Sequence, residues 1–155
     1  GSSKDDSHRG IVDVTETWRQ QELQPFKRLI RTKKADAIML AHLYLRELDP
    51  RLPATLSPAI VGKMLRKDMG FDGVVMTDDL QMNAITQSFG EAEAAILAVK
   101  AGVDILLYAN NAVYDDQIAQ RILGHLRGAL AQGRLTRSRI ETSYRRILAL
   151  KTRLD

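Results

Sequence analysis

Asp78 and Asp79 stand side by side directly after the apolar run Val74-Val75-Met76 and Thr77. Two adjacent carboxylates at the mouth of a buried strand repel each other and lose hydration, so the fold gains no stability from them. One reading is that one of them caps the turn or helix that follows. The other is a chemical site, and the pair alone does not decide between the two. A second signal lies in Asp5-Asp6-Ser7-His8, where a histidine stands two residues after an aspartate in a polar segment. A carboxylate beside an imidazole fixes its tautomer and raises its basicity, although a lone histidine near a terminus is commonly a surface residue. His125 falls in a helical pattern with no acidic residue at a useful spacing and reads as structural. No cluster has metal-ligand spacing, and Gly70 and Gly73 do not match a phosphate-cradling glycine pattern. Neither a metal nor a cofactor is expected.

What must position these groups is a repeated short pattern. Residues 36–42, 72–78 and 104–110 each run from an aspartate through apolar residues to a polar end: His42, Asp78, Asn110. Continuous rather than alternating apolar runs predict strands buried on both faces. Helical patterns lie between them. Residues 18–32 carry Leu23, Phe26, Leu29 and Ile30 at helical spacing. Ser57 and Pro58 open a helix that Gly70 closes, and Gly102 closes another over 91–101. After the last strand come helices over 114–131 and, capped by Thr136, over about 136–153, the latter with an apolar stripe of Ile140, Tyr144, Ile147, Leu148 and Leu150. Residues 1–17 read as irregular and 44–56 as a long loop. The order is strand, helix, strand, helix, strand, which makes consecutive βαβ units on a parallel sheet. In such folds reacting groups gather at the C-terminal ends of the strands. Three strands leave two open edges, and parallel sheets are normally longer or closed. The chain is therefore expected to be part of a larger barrel or to need a partner.

Composition narrows the classes. The chain has 155 residues, 45% hydrophobic and 27% charged, which suits one domain with a core. It has no cysteine, which removes disulfides and thiolate metal sites and fits a reducing compartment. No run approaches the roughly 20 apolar residues of a membrane helix, and the polar start shows no signal peptide. The expected location is the cytoplasm, with no membrane partner. Net charge is +4, with nine Lys/Arg against two Asp/Glu from Arg121 onward. No aromatic residues interleave with those arginines as a nucleic-acid platform requires, so a solvated helix face is expected and nucleic acid is not.

The chain resembles glycoside hydrolase family 3, in its β-N-acetylglucosaminidase or β-N-acetylhexosaminidase branch. The resemblance rests on Pro53-Ala54-Thr55-Leu56-Ser57-Pro58, on Leu65-Arg66, on the run from Gly70-Phe71-Asp72-Gly73 through Thr77-Asp78-Asp79-Leu80-Gln81-Met82, and on Ala101-Gly102-Val103-Asp104-Ile105-Leu106-Leu107. Upstream, Asp6-Ser7-His8, Glu22-Leu23-Gln24-Pro25-Phe26 and Ala35-Asp36-Ala37-Ile38-Met39-Leu40-Ala41-His42 are similar to the same branch. The match covers essentially the whole chain in one order. It implies an α/β fold, the C-terminal part of a (β/α)₈ TIM barrel. About three parallel strands, flanking helices and two C-terminal helices would make residues 1–155 a partial catalytic domain. It implies a retaining hydrolase that removes terminal β-linked N-acetylglucosamine, as in cell-wall muropeptide recycling. The implied nucleophile is Asp78, the implied acid/base is His8 on a mobile loop, and Asp6 orients His8. Asp79 has no implied catalytic role and is expected to hydrogen-bond locally.

The departures are as informative. A full barrel takes about 250 residues. In the family a Lys-His-Phe-Pro-Gly-His-Gly segment that grips the sugar precedes the histidine loop; here Gly1 would be its final glycine. The first strands are therefore expected to be absent, and the fragment is expected to be inactive alone because substrate positioning is missing. The competing reading is a non-catalytic half-barrel that self-associates or binds a partner, such as the missing half, through its open edges. A receiver-like phosphoacceptor domain needs a further acid and a lysine at other strand ends, where this chain has His42 and Asn110.

Overall fold

The computed structural model describes residues 1–6, 9–111 and 114–154. Within them lie five strands: β1 Val12–Asp13, β2 Ala37–Leu40, β3 Leu43–Tyr44, β4 Val74–Asp79 and β5 Ile105–Leu107. The three apolar runs form one parallel sheet in the order β2-β4-β5, so the run that ends in Asp78-Asp79 lies in the middle. β1 and β3 form a separate parallel pair, with Val12 opposite Leu43. Both fall where the sequence predicts irregular chain, because a two-residue strand has no periodicity to read.

Only β4 is buried as a central parallel strand should be. Val74, Val75 and Thr77 are inaccessible. β2 and β5 were expected to be buried on both faces and are not: Met39 is 56% exposed and Leu107 is exposed as well. Each is an edge strand with one side uncovered among the described residues.

The helices follow their predicted stops more closely than their starts. The 18–32 pattern becomes a 3₁₀ turn, Gln20–Leu23, then helix α1, Gln24–Arg31, which Pro25 opens. Ile30 of its stripe packs against the core, but Phe26 and Leu29 are exposed. Residues Ala59–Asp68 form a helix with i→i+5 bonds, Lys63 N–H to Pro58 O and Met69 N–H to Met64 O, both 3.0 Å. Ser57 caps it through Ile60 N–H at 3.1 Å. A short helix α2, Asn83–Thr86, follows β4 without a sequence signal. Helix α3, Glu91–Ala101, ends at Gly102 with φ +118°, and the π helix is followed by Gly70 with φ +70°. Helix α4 spans Ile118–Ala131 and α5 spans Arg137–Leu154; Thr136 Oγ1 accepts Arg139 N–H at 3.2 Å as the predicted cap. The core joins β4 to the inner faces of the π helix and α3 through Val61, Leu65, Phe71, Val75, Ala94 and Ala98.

Of the apolar stripe read on α5, Tyr144 is 62% exposed and Leu148 is also exposed. Ile140 of that stripe packs against Ile96, Val99, Ala129 and Leu135, and polar residues of α5 make a buried contact beside it. Asp104, whose side chain is 0% exposed, accepts from Arg139 Nη2 at 2.7 Å, Ser143 Oγ at 2.7 Å, Arg66 Nη2 at 2.5 Å and Val75 N–H at 3.1 Å. Arg146 Nη1 lies 3.5 Å away. The basic end is largely neutralised within the fold. Arg121 pairs with Glu91 and Asp115, Arg134 with Glu93, Arg146 with Asp72 and Arg153 with Asp36.

Gly73 shows how tightly the strand starts are packed. A Cβ there would lie 2.6 Å from the Asp36 carbonyl oxygen, which already accepts Val74 N–H at 3.1 Å. Gly73→Ala is therefore expected to destabilise by roughly 1–3 kcal/mol through overpacking. Gly124→Ala, in mid-helix with nothing within 4 Å of its Cβ, is expected to stabilise by about 0.5–1 kcal/mol. Thermal unfolding of the two variants should move in opposite directions.

Candidate active site

The C-terminal rim of the sheet is built around an irregularity in β4. Met76 pairs with Ile105 and Asp79 with Leu107, so β4 uses one more residue than β5 over the same step. The extra residue falls at Thr77-Asp78. Such bulges bend a strand and re-aim a side chain, and they recur beside active sites. Here the Thr77 hydroxyl oxygen accepts Leu107 N–H at 2.8 Å and takes over the ladder bond that the slip would lose.

Asp78 is half-buried at this step, and its Oδ1 accepts Asp79 N–H at 2.8 Å. Asp79 bonds within its own turn, as expected, and also to a distant residue. Its Oδ1 accepts Gln81 N–H at 3.0 Å and Ala109 N–H at 3.1 Å, which ties the turn after β4 to the end of β5. Gln81 Oε1 accepts Asn110 N–H at 2.7 Å, and the Asn110 amide closes a loop onto the backbone of Asp115. Asn110 holds φ +53°, a conformation that asparagine tolerates better than most side chains. Asp79 and Asn110 thus brace the rim, and Asp78 is the carboxylate they leave at the bulge.

A second support comes from β2. His42 is 0% exposed and spans two elements. Its Nε2 lies 2.9 Å from the Asp79 carbonyl oxygen and its Nδ1 lies 2.9 Å from Thr55 Oγ1, which is itself 2.9 Å from the Ala41 carbonyl oxygen. Burial pushes the imidazole below its ordinary pKa against the pull of Asp78 and Asp79, so the ring is neutral near pH 7. A carbonyl can only accept, so the single ring proton sits on Nε2. The Thr55 hydroxyl, which donates to the Ala41 carbonyl, lies against the unprotonated Nδ1. Sequence shows the polar strand end at His42; Thr55 stands in a motif of the resemblance, but it lies in the stretch read as loop and nothing local pairs it with His42.

The N-terminal segment reaches this same rim. β3 begins three residues beyond the end of β2, and β1 pairs with β3, which brings residues 12–13 to the C-terminal side of the sheet. Gln87, just past α2, donates from Nε2 to Arg9 O at 3.4 Å. Asp6 Oδ2 lies 3.9 Å from Arg9 Nε, and Asp6 O accepts Arg9 N–H at 2.9 Å and Gly10 N–H at 3.1 Å. Lys4, Asp5, Asp6, Arg9, Gly10 and Ile11 line an open recess of about 350 Å³. Ser7 and His8 lie outside the described residues. His125 does have an acidic neighbour: its Nε2 is 3.5 Å from Glu91 Oε1, on α3 rather than on its own helix. Sequence spacing along one helix could not show it.

No three His, Cys, Asp or Glu side chains among the described residues gather as a metal site. None of the described helices is long and apolar enough to cross a membrane. The arrangement offers a carboxyl group on a braced strand end, at a rim to which a short N-terminal segment is tied.

Residues 1–150 match the family described as Glycosyl hydrolase family 3 N terminal domain. Beta-hexosaminidase A of Pseudoalteromonas piscicida is 33% identical across 99% of this chain and 28% of its own length. Beta-hexosaminidase of Tolumonas auensis is 40% identical across 72% of this chain and 34% of its own length. The structure of a glycoside hydrolase family 3 beta-N-acetylglucosaminidase from Paenibacillus sp. superposes with a TM-score of 0.82 at 37% identity, covering 96% of this chain and 28% of that one. The chain thus spans about a third of the length of these relatives.

Proposed function

Because the chain belongs to glycosyl hydrolase family 3, we propose that it carries the catalytic groups of a retaining hydrolase for terminal β-linked N-acetylglucosamine. The observation that carries the reading is Asp78 at the slipped register of the central strand, braced by Asp79 and held at the C-terminal rim. The names of the relatives supply the sugar.

In the proposed cycle Asp78 attacks the anomeric carbon as a carboxylate, and His8, charged, gives its proton to the departing glycosidic oxygen. The product of that step is a glycosyl ester on Asp78. Neutral His8 then takes a proton from water as the water oxygen attacks the same carbon. The ester bond breaks and Asp78 leaves as a carboxylate. A group that must be charged in one step and neutral in the next suits an imidazole, which titrates near neutrality. Asp6, two residues before His8, stabilises and orients the imidazolium.

Met39 and Leu107 on the uncovered strands, together with the share of the relatives' length that is matched, support a further part of the reading. Additional β/α units complete the barrel and position the sugar, and this 155-residue polypeptide alone does not turn over substrate. The test is the stereochemistry of the complete protein acting on an aryl β-N-acetylglucosaminide, followed by NMR at early times. The β anomer is expected to form first and then mutarotate. First formation of the α anomer would show direct displacement by water and remove the glycosyl ester from the scheme.

A further inference from the structure

His42 is a fully buried titratable side chain that the proposed cycle does not use, yet it bonds to the residue that follows the nucleophile. A histidine that merely fills space at the end of β2 would be replaceable by an apolar residue of similar volume. The geometry here asks for more. The Asp79 carbonyl is met by Nε2 at 2.9 Å while the Asp79 N–H is bonded to Asp78 Oδ1 at 2.8 Å. Fixing the carbonyl of residue 79 limits rotation of that residue's backbone, and so holds its N–H on the carboxylate. A hydrogen bond to the charged form of a carboxyl group favours ionisation. The nucleophile must be ionised, so the donor beneath it bears on the reaction.

We propose that His42 is a positioning residue for Asp78: the proton on Nε2 pins the Asp79 carbonyl and thereby keeps the Asp79 N–H on the nucleophilic carboxylate. The inference rests on the reading of Asp78 as nucleophile. The charged groups that face His42 are Asp78 and Asp79, both from the end of β4. The chain around the ring's other nitrogen presents the Thr55 hydroxyl, with the Ala41 carbonyl behind it. The active state is the neutral ring. In that state the single ring proton lies on Nε2, because the Asp79 carbonyl oxygen 2.9 Å away can only accept.

The test separates the donor from the bulk of the ring, in the complete protein with an aryl N-acetylglucosaminide. His42→Gln keeps an N–H donor near the position of Nε2; His42→Leu keeps volume and removes the donor. Activity is normalised to active sites counted with a slow-reacting fluorinated glycoside, so that loss of folded protein does not count as loss of rate. For His42→Leu the acid limb of kcat/KM is expected to move up by about one pH unit, and kcat at neutral pH to fall about tenfold with KM within about threefold. For His42→Gln the acid limb is expected to stay at the parent position. If His42→Leu does not fold, His42→Asn, whose shorter amide falls short of Asp79, takes its place with the same expectation. An unshifted acid limb in the donor-free variant, or an equal shift in His42→Gln, overturns the proposal. Asp78→Ala run alongside keeps the two readings apart. An inactive Asp78→Ala with an unshifted donor-free variant refutes only the role of His42, whereas an active Asp78→Ala removes the nucleophile and this proposal with it.

Discussion

Asp78→Ala in the complete protein is expected to lower kcat for an aryl N-acetylglucosaminide by about 10⁴-fold or more, with unfolding temperature nearly unchanged. The rate effect follows from the proposed role: without a carboxylate no glycosyl ester forms, and the covalent route is closed. The small stability effect follows from the geometry. Asp78 accepts one N–H, from its neighbour Asp79, and is only half-buried, whereas the bonds that brace the rim run through Thr77, Asp79 and Gln81. Adding azide should restore part of the turnover and give a glycosyl azide of the opposite anomeric configuration, because the small anion attacks from the face that the carboxylate vacated. Unchanged turnover in Asp78→Ala would end the nucleophile assignment. Equal loss of turnover in Asp79→Ala with a large drop in unfolding temperature would fit its bracing role and leave the assignment standing.

The largest stability effect is expected at Asp104. Its carboxylate is fully buried, and its bonds reach Arg66 in the π helix, Arg139 and Ser143 on α5, and the backbone of β4. Asp104→Ala leaves Arg66, Arg139 and Arg146 close together with no anion between them. Removing one partner of a buried ionic network typically costs about 3–5 kcal/mol. At about 2–4 °C per kcal/mol for a chain of this size, the unfolding temperature should drop by roughly 6–20 °C. The pH dependence has a definite sign. Burial by itself would raise the Asp104 carboxyl pKa; the Ser143 hydroxyl, the Val75 N–H and the arginines outweigh it and hold the group below its ordinary value. A lowered folded-state pKa gives stability that is complete above the unfolded-state value of about 3.9 and is lost as pH falls through the folded-state value. The gap in stability between parent and Asp104→Ala should therefore be constant from about pH 5 to 8 and should shrink in acid. A gap that instead widened toward acid would contradict the pairing described here.

Much of this was legible beforehand. The three apolar runs became the three strands of one parallel sheet, and Asp78 fell at the end of the central one. Gly70 and Gly102 took positive φ after their helices, and Ser57 and Thr136 capped theirs. These features depend on short-range pattern: a strand run of four to six residues or a helix end within one turn. Expectations that needed a partner from far along the chain did worse. The apolar stripes on α1 and α5 reach the core through Ile30 and Ile140, but the structure exposes Phe26, Leu29, Tyr144 and Leu148 and ties α5 down through Arg139 and Ser143 on Asp104. His125 found Glu91 on another helix.

By itself the sequence determined that consecutive βαβ units place one aspartate pair at the carboxyl end of a buried parallel strand, because apolar run length, helix caps and glycine stops are written locally. Short-range pattern could not decide which aspartate would be bonded into the fold and which would be left at the strand end. Tertiary structure decided that, through a one-residue slip between β4 and β5 and through bonds from Ala109, Gln81 and His42, residues up to 37 positions away in the chain. A register slip is a compromise between two paired strands, and a buried hydrogen bond needs both partners at one point in space. Neither exists until the chain has folded.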